Sequence, residues 1–276
     1  MIGEDAIVGW RNRVPWRDDT QVEQDLLLHA MIQKIYANPF LAEKLAFRGG
    51  TCLNKLFWSS PARYSEDLDF VQTTAEKIGP TVKELRNAMA SLFGENPKWK
   101  PRRGSFRLYY SFVPEARPIH PQRIKIEINT REHVAIEGYQ KKKFTLDSVW
   151  LKGEAEVTTF SIEELLATKL RALFQRSKGR DLFDLWKSQE IKPDYKKVVN
   201  FFVEYCQHLR KPIHRESFLE NLDQKLADRG FLEDIGPLLV PGTDYDVIRA
   251  ADFVRDEMMP LLPLSKARMK KLGRKI

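Results

Sequence analysis

The sequence predicts an α+β chain of 276 residues, mixed in its front part and helical behind, with the change near residue 160. Two observations carry this reading. Short runs of alternating apolar and polar residues, separated by turn residues, recur between residues 67 and 160. From Ser161 onward the apolar residues recur at helical spacing almost without a break. The expected domains are therefore 1–160, α/β, and 161–276, helical with a basic tail. At 42% apolar and 11% aromatic residues the chain can bury a sizeable core.

In chain order, residues 20–37 have helical periodicity, with Val22, Leu26, Ala30 and Ile35 on one side. Pro39 interrupts, and a short helix leads into LAFRGG. A helix at 51–58 follows, with Thr51 as the expected N-cap. The strand 67–72 comes next, and Pro80 starts the helix TVKELRNAMASLF. Strands are expected near 98–103, 106–113, 122–131 and 155–160, some separated by Pro114, Pro118 and Pro121. Helices are expected at 161–176, 181–189, 194–209, 215–228 and 244–259.

Several function classes are disfavoured. No apolar run approaches the roughly 18–20 residues of a membrane span. MIGEDAIVGW carries acids and no long apolar stretch, unlike a signal peptide. Cys52 and Cys206 lie far apart, forming no metal-type pair and no disulfide framework. A reducing cytoplasm is the expected location. No coiled-coil heptad is visible, so a monomer is the default.

The formal charge is +8. The tail SKARMKKLGRKI holds six cations, including Lys270 and Lys271, and no acid; without it +2 remains. A second cluster, Lys98, Lys100, Arg102, Arg103 and Arg107, is interleaved with Trp99, Phe106, Tyr109 and Tyr110. Lys141 to Lys143 form a third. Such clusters suit phosphate backbones, and neighbouring aromatics can stack on bases. The alternative is a solvated tail and an exposed hairpin.

Against this basic background, RYSEDLDF gathers acids. Strand alternation puts Asp67 and Asp69 on one face and Glu66 with Leu68 on the other. Two residues along a strand span about 6.5–7 Å, which carboxylate arms can close onto one or two Mg²⁺ ions. Ser65 and Arg63 add a hydroxyl and a cation that can face a phosphate. The competing reading is a strand edge with a solvated acidic face. In FRGGTCLNKL, Gly49, Gly50 and Thr51 lie where a strand turns into a helix, a geometry that lets backbone N–H groups approach phosphate. It is neither a Walker loop nor a Rossmann fingerprint, and an ordinary tight turn is the alternative.

In RIKIEINTRE, Glu127 sits mid-strand among cations. Beside 67–72 it would supply a third carboxylate, for a metal or for a hydroxyl proton. The alternative is an ion pair with Lys125 or Arg131. In SIEELLATKLRALFQR, Lys169 falls inside the apolar stripe of Ile162, Leu166 and Leu173, a costly place unless paired or at a cleft. It is expected either to grip phosphates or to snorkel at the rim. Arg171 points the other way, and Arg176 returns towards Lys169. In SKGRDLFDLW, Asp181 and Asp184 share a helix face, flanked by Lys178 and Arg180.

Taken in order, GGT, RYSEDLDF, KIEI and LLATKLRALFQRSKGRDLFDLW resemble the AbiEii/AbiGii-type toxin nucleotidyltransferases of type IV toxin–antitoxin and phage abortive-infection systems. The resemblance covers residues 45–190. It implies a DNA polymerase β-like nucleotidyltransferase core joined to a helical domain. It also implies transfer of a nucleotide from an NTP to an acceptor, with the 3′ end of tRNA as the leading candidate and translation blocked as the result. Asp67 and Asp69, with Glu127, would hold Mg²⁺, for which Mn²⁺ can substitute. Gly49, Gly50, Thr51, Arg63, Ser65, Lys169, Arg180 and Asp184 would hold the nucleotide, and Asp181 would position Lys169 or line the acceptor site. Arg180 stands where many relatives have Lys, which changes the geometry of phosphate pairing. A cognate antitoxin encoded nearby is implied. Transfer to a protein or small molecule, and a non-catalytic nucleic-acid-binding module, are the alternatives.

Overall fold

A computed structural model describes residues 2–94, 96–115, 120–207, 213–265, 268 and 270. The chain forms two compact units, Met1–Ser161 and Ile162–Ile276. Among the described residues no helix is long and apolar enough to cross a membrane.

The first unit is built on a seven-stranded mixed sheet. Its strands are β1 (Leu45–Arg48), β2 (Asp67–Gln72), β3 (Lys98–Arg102), β4 (Ser105–Phe112), β5 (Gln122–Asn129), β6 (Gln140–Asp147) and β7 (Lys152–Thr159). The spatial order is β3-β4-β5-β2-β1-β7-β6. The acidic strand β2 is therefore central, not an edge. It runs antiparallel to β1 and parallel to β5. Its alternation reads out in burial: Leu68 and Phe70 are buried, while Asp67 and Asp69 are half-buried on the opposite face.

Helices α1 (Glu4–Arg11), α2 (Asp19–Ala37), α3 (Pro39–Lys44), α4 (Gly49–Leu56) and α5 (Gly79–Met89) complete this unit. Helix α2 packs against β6, β7, α1, α3 and α5. The stripe of Val22, Leu26, Ala30 and Ile35 is fully buried, but so is much of the remaining surface, including Glu23 and Asp25. The Asp25 carboxylate is paired with Lys55 of α4 and with His29, and accepts from Trp10 Nε1 at 3.2 Å. Burial opposes its ionised form, yet Lys55 and His29 outweigh that and hold its pKa well below the usual range. A buried carboxylate held this way ties α4 to α2.

Two elements of this unit escaped the sequence reading. The interior Gly9 weakens the helical signal of α1. The run Lys141 to Lys143 hides the alternation of β6, whose Phe144 and Leu146 are buried. Both sheet edges, β3 and β6, are thus lysine-rich, and β3 also carries Pro101; charge and proline on an edge discourage pairing with another chain.

The second unit is helical: α6 (Ile162–Gln175), α7 (Gly179–Lys187), α8 (Tyr195–Gln207), α9 (Arg215–Leu226), α10 (Arg229–Glu233) and α11 (Val247–Glu257). Helix α6 packs against α7, α8 and α9, and α11 packs against α7. Lys225 of α9 is buried and its Nζ donates to the carbonyls of Leu173 and Phe174, which satisfies the C-terminal turn of α6. Cys52 and Cys206 are free and buried.

Candidate active site

Register decides what meets on the polar face of the sheet. Asp69 of β2 is flanked by Glu127 of β5 and Arg48 of β1, and Glu127 in turn by Arg107 of β4 and then Lys100 of β3. The neighbouring row runs Asp67, Lys125, Tyr109, Lys98. Three carboxylates thus stand on two adjacent central strands. Lys125 Nζ lies 2.9 Å from Asp67 Oδ2 and 3.3 Å from Glu127 Oε2. Arg107 donates to Glu127 Oε1 at 2.7 Å. The Asp69 carboxylate makes no ion pair or hydrogen bond among the described residues.

These surroundings set Asp69 and Glu127 apart. Burial raises the pKa of Asp69, and neighbouring Asp67 adds to the rise, against partial relief from Lys125. For Glu127 burial is outweighed by Arg107 and Lys125, and its pKa falls. Lys125 is raised: burial opposes its charge, but Asp67 and the other two acids more than compensate. As they stand, no three His, Cys, Asp or Glu side chains among the described residues close on a metal position. The expected trio of Asp67, Asp69 and Glu127 is adjacent, with Lys125 bridging two of its members.

The double glycine serves this row directly. Gly49 has φ +83°, and a Cβ there would lie 2.6 Å from Asp69 Oδ2. A Cβ on Gly50 would overlap the Arg63 guanidinium. The glycines therefore admit protein groups, Asp69 and Arg63, at close range. Thr51 is not the N-cap; Arg48 holds that position and α4 already begins at Gly49. Thr51 is buried inside the helix, where its Oγ1 donates to the Asp67 carbonyl at 2.5 Å and shares a 2.6 Å hydrogen bond with Ser65 Oγ. Arg63 is buried, and its Nη1 donates to the Tyr64 carbonyl at 3.1 Å. Thr51, Ser65 and Arg63 thus brace the turn and the start of β2 instead of projecting into solvent.

In the helical unit, Lys169 is buried and does not snorkel. Its Nζ lies 2.7 Å from Asp184 Oδ2 and 3.1 Å from Asp181 Oδ1. Arg176 adds a two-pronged contact to Asp181, at 2.7 and 2.9 Å. Burial works against an ionised Asp181, but Lys169 and Arg176 win and lower its pKa. Arg180 and Lys178 are both engaged by Asp234.

The profile of the family described as nucleotidyl transferase AbiEii toxin, type IV TA system, matches residues 32–255. The chain belongs to the AbiEii toxin family. MenT4, a nucleotidyltransferase toxin from Mycobacterium tuberculosis H37Rv, is similar in structure, with a TM-score of 0.61 at 16% identity over 96% of this chain and 91% of that one. A candidate nucleotidyltransferase from H. pylori is similar with a TM-score of 0.54 at 17% identity, covering 94% of this chain and all of the other. These likenesses establish the nucleotidyltransferase fold. No curated protein matches the chain in sequence.

This AbiEii toxin corrects several sequence expectations. Arg107 is not a free basic residue of the hairpin, because Glu127 holds it. Of the two partners weighed for Glu127, it meets Lys125, and Arg107 joins it. Arg180 meets Asp234, 54 residues away, so its guanidinium is already occupied. Arg171 is not simply solvated; it lies 5.0 Å over the Tyr205 ring. Lys98, Lys100, Arg102 and Arg103 are exposed on the β3–β4 hairpin. Alternation puts Lys98, Lys100 and Arg102 on the carboxylate side of the sheet, and Trp99, stacked on Phe106, on the other. Lys270 is exposed, while Lys271 lies outside the described residues.

The sequence reading weighed Lys125 as a partner of Glu127 but missed its contact with Asp67. Its signal was present: in RIKIEINTRE it stands two residues from Glu127 and so shares its face.

Proposed function

We propose that this AbiEii toxin is a Mg²⁺-dependent enzyme that transfers NMP from an NTP to the 3′ end of tRNA and so arrests translation and growth. One observation carries the reading: Asp67, Asp69 and Glu127 share one face of two adjacent central strands, beside the Gly49 turn. A donor set made wholly of carboxylate oxygens suits Mg²⁺, and the half-buried, unpaired Asp69 leaves this row short of positive charge. When bound there by Asp67 and Asp69, with Glu127 alongside, Mg²⁺ or Mn²⁺ would offset the charge of the triphosphate and align it for attack.

The protein's own groups would then divide the work. The Gly49–Gly50 turn sets the distance of Asp69 from α4. Glu127, with its lowered pKa and two cationic partners, is a weak base and is better suited to hold charge than to take a proton. Lys169, buried between Asp181 and Asp184, would hold the helical unit together rather than meet phosphate. Lys98, Lys100 and Arg102 favour a polyanionic acceptor, because they share the carboxylate face. Three strand spacings of about 4.8 Å separate the backbone of Lys100 from that of Asp69 by about 14 Å. We read residues 1–161 as the nucleotidyltransferase domain and the helical unit as its companion, in a cytoplasmic monomer that a cognate antitoxin restrains.

The test is incubation with Mg²⁺, each labelled NTP in turn, and total cellular RNA. Label on tRNA that Asp67→Ala abolishes is the expected result. Label on protein would move the acceptor. Transfer that survives Asp67→Ala, or RNA binding with no transfer under any NTP, would overturn the reading.

A further inference from the structure

We infer that Lys125 is a built-in counter-cation that competes with divalent metal for Asp67 and Glu127. The inference rests on the proposed metal role of the carboxylate row. On the central strands β2 and β5, Glu127 stands in register with Asp69, and Asp67 lies two residues along β2 on the same face; like charges this close repel. Among the described residues, two cations contact the row. Arg107 reaches only Glu127, from the far side on β4. Lys125 alternates onto the same face as Glu127, sits in register with Asp67, and bonds both. It is thus the cation that joins the two strands' acids.

An ammonium and a hard divalent ion seek the same carboxylate oxygens. Metal entry at Asp67 and Glu127 must therefore break the two Lys125 contacts or share their oxygens with them. The acids stay compatible without metal, and metal binding costs the energy of displacing a lysine. Arg107 does not act in this way, because Glu127 has a second oxygen for Lys125 while Asp67 has no contact with Arg107.

The experiment is Mn²⁺ titration of the full chain, followed by calorimetry and by the loss of the free-ion paramagnetic resonance signal, with thermal unfolding in chelator alongside. Lys125→Gln is expected to tighten Mn²⁺ binding about tenfold and to lower Tm in chelator, with Mn²⁺ restoring it. Lys125→Arg keeps the charge and is expected to fold and to bind Mn²⁺ within about threefold of the parent. It keeps the test open should the glutamine variant not fold, since tenfold tighter binding by the arginine variant would overturn the inference. Unchanged or weaker Mn²⁺ binding by Lys125→Gln also overturns it. Asp67→Asn separates the two readings. If that variant binds Mn²⁺ as the parent does, the metal lies elsewhere and the proposed function fails first. If Asp67→Asn loses the ion and Lys125→Gln leaves its affinity unchanged, only the counter-cation is wrong.

Discussion

The sheet's carboxylate row and the lysine cluster of the helical unit are built from the same residue types and differ in charge balance. In the row, Asp67, Asp69 and Glu127 face two contacting cations, Lys125 and Arg107, and Asp69 is left without an ion pair. In the cluster, Lys169 and Arg176 meet Asp181 and Asp184, so that each acid has an ion-pair partner. Lys169, Asp181 and Asp184 of the cluster are buried, with Arg176 exposed at its edge; the row is half-open and anionic. An unbalanced, partly exposed group is fitted to receive a cation, whereas a balanced buried one is fitted to hold its members still.

The sharpest way to break this contrast is to remove the central charge of the cluster. Lys169→Met leaves Asp181 and Asp184 buried with one partner fewer and is expected to cost about 3–5 kcal/mol in urea unfolding. A loss below about 1 kcal/mol would mean that the cluster is not closed.

Next is Asp69→Asn, which is expected to reduce nucleotide transfer by about 10²–10³-fold. Its stability without metal is expected to stay the same or rise, since one repelling charge is gone. A large drop in the urea midpoint would erase the difference between the two regions.

Gly49→Ala sharpens the geometry of the row. A side chain at φ +83°, pressed on Asp69 Oδ2, is expected to cost about 1–2 kcal/mol and to lower transfer as well. Gly138→Ala, also at positive φ but with open space around its Cβ, is the control for strain alone. Equal transfer by both variants would detach Gly49 from the row.

The smallest effect concerns Asp234. Burial raises its pKa, but bonds from Arg180 and Lys178 outweigh this and hold it at about 2, against an ordinary 3.8. The unfolded chain therefore binds more protons between these values, so this stabilisation is present above pH 4 and is lost as pH falls towards 2. With both cations partly exposed, about 1 kcal/mol is expected. Tm measured from pH 6 down to 2 should fall less steeply in Asp234→Asn; parallel curves would show that the contact contributes nothing.

Much of the candidate site was legible because strand alternation is local. The common face of Asp67 and Asp69, the opposite face for Glu66, and the intrusion of Lys169 into an apolar stripe all follow from spacing. The partners were less legible. Arg107 reads as one more basic residue of the hairpin until β4 pairs with β5 and sets it against Glu127. Arg180 reads as a phosphate ligand until α10 and the residues after it bring Asp234 to it. Thr51 has the chemistry of an N-cap, but the close approach of Gly49 to Asp69 starts the helix two residues earlier.

By itself, then, the sequence determined the α+β class, the faces of the strands, the helical back part and the ordered motifs of the AbiEii family, because each depends on residue type and short-range period. Only the tertiary structure decided that β2 is central, that β5 lies parallel beside it, and that Lys125 rather than Arg131 holds its acids. Those outcomes depend on which strands pair and in what register. Register joins residues some 60 positions apart, as with Asp67 and Lys125, and no local period carries that information.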